Sequence, residues 1–372
     1  MRILFIIDSF CSGGAQRQMV NLAIGLKNRG HDIEFFIYHP EFSYFKDFVL
    51  NNGITIHEFY KKHRISVKLF KELRRIIKNG NYDAILSFLD APNFYGEIAN
   101  FGTQCPIIVS LRNIYPKKLK IKYWFLSQVH RLATHITTNS YTQKESMIKL
   151  FPWAKSKISV IYNGIDTNLF KPLYKKADNN ILTLVAIGRI SEQKNIINLI
   201  KALHYLKESN KINCLIKWAG RIDSKKEFDM ANKLLRELNL YNQWIWLGER
   251  EDIIDILNSA DALIHPSLYE GLPNAICEAL ACGKPVLASN VCDNSRLVLE
   301  GERGLLFDPH DIYDIASAIY KFNNLSALER YKMGKKGREF ALSELSLENF
   351  INSYENLFNK IIKINKKPLH QA

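Results

Sequence analysis

The chain is expected to fold as an α/β protein built of two doubly wound domains placed end to end. Short apolar runs rich in β-branched and aromatic residues alternate with helical patterns along the whole length. This is the signature of parallel sheets covered by helices on both faces. The pattern restarts after Phe170–Asn180, a stretch rich in Lys, Pro and Asn. Size agrees, because 372 residues exceed what a single hydrophobic core usually organises.

The elements follow in order. Arg2–Asp8 is a strand, Ala15–Asn28 places Met19, Leu22, Ala23 and Leu26 at helical spacing, and Asp32–Tyr38 is again a strand. A helix is predicted over Val67–Ile77, with strands over Ala84–Phe88, Pro106–Leu111, Ile136–Asn139 and Ile158–Tyr162. After the restart come the strand Ile181–Ile187, the helix Ile196–Leu206, the strand Asn213–Trp218, the helix Phe228–Leu238 and the strand Trp244–Leu247. Asp261–His265 and Pro285–Ala288 complete the second sheet. The first domain is placed at residues 1–170 and the second at 171–346, with a last helix, Leu347–Lys363, expected to return to the first domain.

Hydrophobic residues make up 47% and charged residues 24%, a globular balance that excludes a disordered chain. No apolar run reaches the length needed to span a bilayer. The opening MRILFII is broken by Asp8, so it reads as a buried strand rather than a signal peptide, and a cytoplasmic protein is expected. Cys11, Cys105, Cys214, Cys277, Cys282 and Cys292 are scattered, without CxxC or a His pair at metal-ligand spacing. Free thiols are expected, with no zinc and no disulfide. The net charge of +14 is uneven: residues 1–170 hold 23 Lys and Arg against 12 Asp and Glu. Such an excess implies an acidic partner, whether nucleic acid, an anionic membrane or a phosphorylated substrate.

In open α/β sheets ligands bind in the loops at the carboxyl ends of strands. Ser12-Gly13-Gly14-Ala15 lies between the first strand and its helix, where adjacent glycines and helix amides favour a phosphate; a plain tight turn would look the same. GxGxxG occurs nowhere, which weighs against a dehydrogenase. In Gly188-Arg189-Ile190-Ser191-Glu192-Gln193-Lys194-Asn195, Arg189 and Lys194 offer two cations suited to a diphosphate, or simply a solvated basic loop. The segment from His265 to Ala279 places Glu270 before a Gly-Leu-Pro turn and Glu278 about one turn inside an otherwise apolar helix. A buried carboxylate needs partners, and ribose hydroxyls or a structural salt bridge would serve.

Taken together, SGGA, YNGIDTNLF followed by KP, GRISEQKN and HPSLYEGLPNAICEA resemble glycosyltransferase family 4. Members of that family adopt the GT-B fold, two Rossmann-like doubly wound domains facing an interdomain cleft. Glu270 and Glu278 meet its Glu-x7-Glu spacing, and Asn163, Gly164, Ile165, Asp166 and Phe170 meet its linker signature. GKPVLAS and GLLFDP, with Gly283, Pro285 and Gly304, fit as well. The resemblance implies a retaining transferase in which Glu270, Arg189 and Lys194 are catalytic. Arg189 and Lys194 would take the donor diphosphate, Glu278 the ribose hydroxyls, and Glu270 the hydroxyls of the transferred sugar. Gly271, Leu272, Pro273 and Asn274 would line the same pocket, and Gly14 would approach the phosphate from the other domain. One position departs: where many relatives carry a His-Asp pair, this chain reads Ser110-Leu111-Arg112-Asn113. Arg112 cannot act as a general base. With Asn113 it is placed on the acceptor side, holding a phosphate or hydroxyl, or else in an ion pair.

No Asp-x-Asp is present, so no metal and no other cofactor is expected, and protein cations would stabilise the leaving diphosphate. The nucleotide sugar is a co-substrate, with UDP and a hexose or N-acetylhexosamine preferred on family frequency. The first expectation is transfer to a lipid-linked saccharide in surface polysaccharide, lipopolysaccharide or glycolipid synthesis. The alternatives are a soluble transferase acting on a small sugar or sugar phosphate, and a basic nucleic-acid binder, which would leave Glu270 and Glu278 unexplained. Two basic runs point to an anionic membrane surface. Lys61–Lys78 carries eight Lys and Arg and one acid, Glu72; Lys117–Lys122 holds Lys117, Lys118, Lys120 and Lys122 beside Trp124 and Phe125. As a helix, Ile121, Trp124, Phe125, Val129 and Leu132 share one face, for packing or for lipid. The protein is thus placed peripherally at the inner face of the plasma membrane, with no nucleic-acid partner.

Overall fold

The computed structural model describes residues 1–112, 124, 128–173, 181–209 and 212–365. It divides into two units, Met1–Gly164 joined by the helix Leu347–Asn365, and Ile165–Ser346. The division falls at Gly164/Ile165, ahead of the 170/171 position expected from the linker. Side-chain bonds explain this: Gln18 brackets Gly164, donating to its carbonyl at 2.9 Å and accepting from its amide at 2.8 Å. Ile165 instead pairs with the second unit, its amide donating to the Leu345 carbonyl at 2.8 Å.

The first unit holds a seven-stranded sheet in the order β3-β2-β1-β4-β5-β6-β7, all parallel. Its strands are β1 (Arg2–Ile6), β2 (Asp32–Ile37), β3 (Thr55–Glu58), β4 (Ala84–Phe88), β5 (Ile107–Leu111), β6 (His135–Thr138) and β7 (Ile158–Val160). The pleat sends alternate side chains to opposite faces, so Ile3, Phe5, Phe35 and Leu86 join one apolar layer and Leu4, Ile6, Phe36 and Ile85 the other. Phe350, Ile351, Tyr354, Phe358, Ile361 and Ile362 of the helix Leu347–Asn365 complete the first of these layers.

The second unit holds a six-stranded parallel sheet, ordered β10-β9-β8-β11-β12-β13. Its strands are β8 (Leu182–Ile187), β9 (Cys214–Ala219), β10 (Trp244–Gly248), β11 (Ala262–His265), β12 (Val286–Ser289) and β13 (Gly304–Phe307). Both orders reverse direction, between β1 and β4 in one sheet and between β8 and β11 in the other. Those are the switch points where doubly wound sheets bind ligands.

The structure adds elements that periodicity does not reveal. The helix Asp90–Asn100 contains Pro92, Asn93 and Gly96, poor helix formers, yet Pro is tolerated in a first turn and Tyr95 and Ala99 bury into the core. β3 is a short edge strand of mixed polarity. All six cysteines are free. Among the described residues no helix is long and apolar enough to cross a membrane.

Candidate active site

β8 and β11 are adjacent, so the loops beyond their carboxyl ends meet. The Leu268 amide donates to the Gln193 carbonyl at 2.8 Å, and Gln193 Nε2 donates to the Tyr269 carbonyl at 2.8 Å. Asn195, held at φ 57°, donates Nδ2 to the carbonyls of Pro266 at 3.0 Å and Pro309 at 2.7 Å. Asn tolerates this left-handed conformation better than most residues. The two sequence motifs are thereby fastened into one platform.

Lys194 crosses that platform over Gly188, where a Cβ would stand 2.9 Å from Lys194 Cε. Its Nζ reaches Glu270 Oε1 at 2.5 Å, and both side chains are largely buried. His265 Nε2 lies 3.1 Å from the same oxygen and 3.1 Å from Ser267 Oγ. Burial disfavours the Glu270 carboxylate, but the His265 hydrogen bond and the Lys194 charge outweigh it and hold the group well below the usual carboxylate range. Burial and the nearby Lys194 charge lower the His265 value, so the imidazole is neutral near pH 7 and donates from Nε2 to the ionised Glu270. Oε1 is thus doubly occupied, and among the described residues Oε2 makes no hydrogen bond. One carboxylate oxygen is anchored and the other can accept a hydroxyl.

Gly271, Leu272 and Pro273 lead from Glu270 into the helix Asn274–Ala281, which has no side-chain cap and no acid in its first turn. Glu278, 5% exposed, lies one turn in, on the same face as Asn274. Side chains on helices lean toward the N-terminus, so Glu278 is directed toward the carboxyl edge of the sheet. Arg189 does not join Lys194. It is about half exposed and donates to Asp223 Oδ2 at 2.7 Å, while Arg221 takes the other oxygen at 2.8 Å. An exposed pair of this kind contributes little, so Arg189 is released from Asp223 at small cost.

In the first unit, Gly14 opens the helix Gly14–Asn28 behind Gly13. Gln16 folds back over Gly13 and donates to Asp8 Oδ1 at 2.9 Å. Arg112, just past β5, is 8% exposed and not an open acceptor-side cation. Nor is it in an ion pair among the described residues. Its nitrogens donate to Ser110 Oγ at 2.9 Å, Asn163 Oδ1 at 2.5 Å and Tyr354 Oη at 3.1 Å, and the guanidinium stacks 3.8 Å from the Phe88 ring centroid. Burial lowers its pKa, yet a guanidinium stays charged. Arg112 ties β5, the Asn163 turn and the C-terminal helix together. Asn113, Lys117, Lys118, Lys120 and Lys122 lie outside the described residues.

A family model described as Glycosyltransferase Family 4 matches residues 12–169, and one described as Glycosyl transferases group 1 matches residues 167–340. The chain belongs to glycosyltransferase family 4. This transferase is 26% identical over 317 residues to an Escherichia coli UDP-Gal:alpha-D-GlcNAc-diphosphoundecaprenol alpha-1,3-galactosyltransferase, covering 81% of each chain. It is 27% identical over 285 residues to the Staphylococcus aureus capsular polysaccharide biosynthesis glycosyltransferase CapM, covering 72% of this chain and 74% of the relative. A glycosyltransferase from Rickettsia africae superposes with a TM-score of 0.87 at 20% identity, covering 97% and 98% of the two chains. Anabaena HepE in complex with UDP superposes at 0.85 and 21%, covering 97% and 100%. The fold class is GT-B.

His265, Ser267, Asp223 and Asn195 were not assigned roles from sequence. The usable signal for His265 was its place at the end of an apolar strand, five residues ahead of Glu270. Among the described residues no group of three or more His, Cys, Asp or Glu side chains is placed to hold a metal ion.

Proposed function

We propose that the transferase moves a hexose or N-acetylhexosamine from a UDP-sugar to a lipid-linked saccharide, with retention of configuration and without a metal ion. One observation carries this reading: the Lys194–Glu270–His265 cluster at the switch point of the second sheet. A cation for the leaving diphosphate stands against a carboxylate that is ionised, oriented and open at Oε2 to a sugar hydroxyl. Preorganised charge of this kind stabilises the transition state more than the ground state. In the proposed step the bond from the anomeric carbon to the diphosphate oxygen breaks while the acceptor oxygen bonds to that carbon from the same face. The acceptor proton passes to the leaving phosphate. Lys194 and Arg189 hold the diphosphate, Glu278 the ribose, and Arg112 fixes the acceptor-side scaffold rather than touching substrate. UDP is supported by HepE, solved with UDP, and by the E. coli relative's UDP-galactose donor. The lipid-linked acceptor is supported by that relative's undecaprenol substrate, and from such an acceptor we infer that the enzyme works at the cytoplasmic face of an anionic membrane.

The test is a panel of nucleotide sugars, each incubated with the protein and a polyprenyl-diphosphate-linked saccharide, with and without EDTA. Transfer from one UDP-sugar, unaffected by EDTA and giving the same anomeric configuration in product as in donor, is expected. Loss of activity with EDTA, restored by magnesium or manganese, would refute the metal-independent step. Transfer only to a small soluble sugar would refute the lipid-linked acceptor.

A further inference from the structure

We propose that the loops leaving β2 and β3 form an insertion edge that enters the interfacial layer of an anionic bilayer, with Phe42, Tyr44, Tyr60 and Ile65 as the penetrating side chains. The proposal rests on the lipid-linked acceptor argued above and names the surface that reaches the lipid. β2 and β3 are parallel neighbours, so both loops leave the same edge of the sheet. They are joined at their roots, with the Phe59 amide donating to the Ile37 carbonyl at 2.9 Å and the Lys61 amide to the Tyr38 carbonyl at 3.1 Å. Phe42 is 55% exposed, Tyr44 67%, Tyr60 65% and Ile65 70%. Four large apolar or aromatic side chains so exposed on joined loops mark an interaction surface.

Charge identifies the partner. From Tyr60 to Lys68 the chain carries Lys61, Lys62, Arg64 and Lys68 and no acid. Of the acids near the loops, Glu41 is engaged with His39 at 2.9 Å, Glu58 with Lys46 at 2.7 Å and Glu72 with Arg75 at 2.6 Å, while Asp47 is exposed in the helix Lys46–Asn51. In the helix Val67–Asn79, Leu69, Leu73, Ile76 and Ile77 face the core, which leaves Lys68, Lys71, Arg75 and Lys78 exposed. Aromatic tips beside a belt in which basic side chains outnumber acidic ones match anionic headgroups above an acyl boundary. The edge is also fixed relative to the glycine turn. Phe10 donates its amide to the Phe42 carbonyl at 3.0 Å and accepts from the Phe45 amide at 3.0 Å, two residues ahead of Ser12-Gly13-Gly14.

Flotation of the full chain tests this, with vesicles of phosphatidylcholine alone and of phosphatidylcholine mixed with phosphatidylglycerol, at low and high salt. Wild type is expected to float with the phosphatidylglycerol vesicles. Joint replacement of Phe42, Tyr44 and Ile65 by Ser should lower partitioning at least about 10-fold at both salts, because apolar burial is not screened. Joint replacement of Lys62, Arg64 and Lys68 by Ser should lower it about 10²-fold at low salt only. Circular dichroism and UDP calorimetry confirm that the variants remain folded. Wild-type flotation by the apolar variant, or no flotation of wild type, overturns the proposal. So does a wild-type dimer that the apolar variant dissociates, since the surface then serves a second copy. Flotation without donor turnover would sink the transferase reading and leave the insertion edge standing; turnover without flotation would do the reverse.

Discussion

The buried Lys194–Glu270 pair yields the sharpest prediction, a double-mutant cycle on Lys194→Met and Glu270→Gln. At 2.5 Å separation the gross attraction is about 7 kcal/mol with an effective dielectric constant of about 20. Desolvation of two largely buried groups takes back most of that, so the pair's net contribution is far smaller than the cost of breaking it. Removing one member of a buried pair costs roughly 3–5 kcal/mol. Here the lower end applies: Glu270 keeps the His265 bond when Lys194 is gone, and a lysine stem can swing its ammonium into water when Glu270 is gone. Each single variant should therefore lose about 3 kcal/mol and the double about the same, a coupling of about 3 kcal/mol. The assay is urea unfolding followed by tryptophan emission. Trp218, Trp244 and Trp246 are mutually in ring contact inside the second unit and make up three of the five tryptophans, so emission reports on that unit. Additivity of the two single losses to within about 0.5 kcal/mol would refute the description of the pair.

Three further outcomes are expected. Glu278→Ala should weaken UDP binding by about 1–3 kcal/mol in calorimetry, and unchanged affinity would remove Glu278 from the ribose. Arg189→Ala should reduce turnover on the order of 10²-fold, whereas Asp223→Ala, which breaks only its two exposed pairs with Arg189 and Arg221, should leave stability within about 1 kcal/mol and UDP affinity undiminished; a tenfold loss of affinity would place Asp223 in the site. Burial disfavours ionised Glu34, but bonds from His57, Tyr82 and Arg2 outweigh it and hold its pKa at about 2 against an ordinary 4.5. A lowered value gives stability that is present above 4.5 and is lost as pH falls toward 2, so wild type should lose about 2 kcal/mol more than Glu34→Gln between about pH 5 and pH 3. Parallel acid unfolding curves for the two proteins would count against it.

Strand and helix alternation, the restart, and the strand-end positions of Arg189, Lys194 and Glu270 were all legible in the sequence, because pleat and helix periods are local properties. What was not legible depended on contacts across a crossover. Lys194 and Glu270 are 76 residues apart and meet only because β8 and β11 are neighbours, an adjacency that no local pattern encodes. For the same reason Arg189 was expected beside Lys194 and instead lies against Asp223, 34 residues downstream. Arg112 read as holding an acceptor phosphate or hydroxyl, or as one member of an ion pair, because its burial is supplied by Phe88, Asn163 and Tyr354, which converge from three distant segments. Helix Asp90–Asn100 was missed because tertiary burial overrode poor intrinsic propensity.

The helix Leu347–Asn365 has a consequence for how this chain is made. Six of its side chains fill an apolar layer whose other members lie in the first 161 residues. On the ribosome those residues emerge early but lack that wall, while Ile165–Ser346 has all of its strands before the last helix is translated. The usual order of domains folding from the N-terminus is thus inverted. The first unit must wait, with its sheet partly uncovered, until Leu347–Asn365 has been translated. A nascent chain stalled before Leu347 should carry a protease-resistant middle and a protease-sensitive beginning, a stage at which chaperone capture would be directed at the amino-terminal sheet.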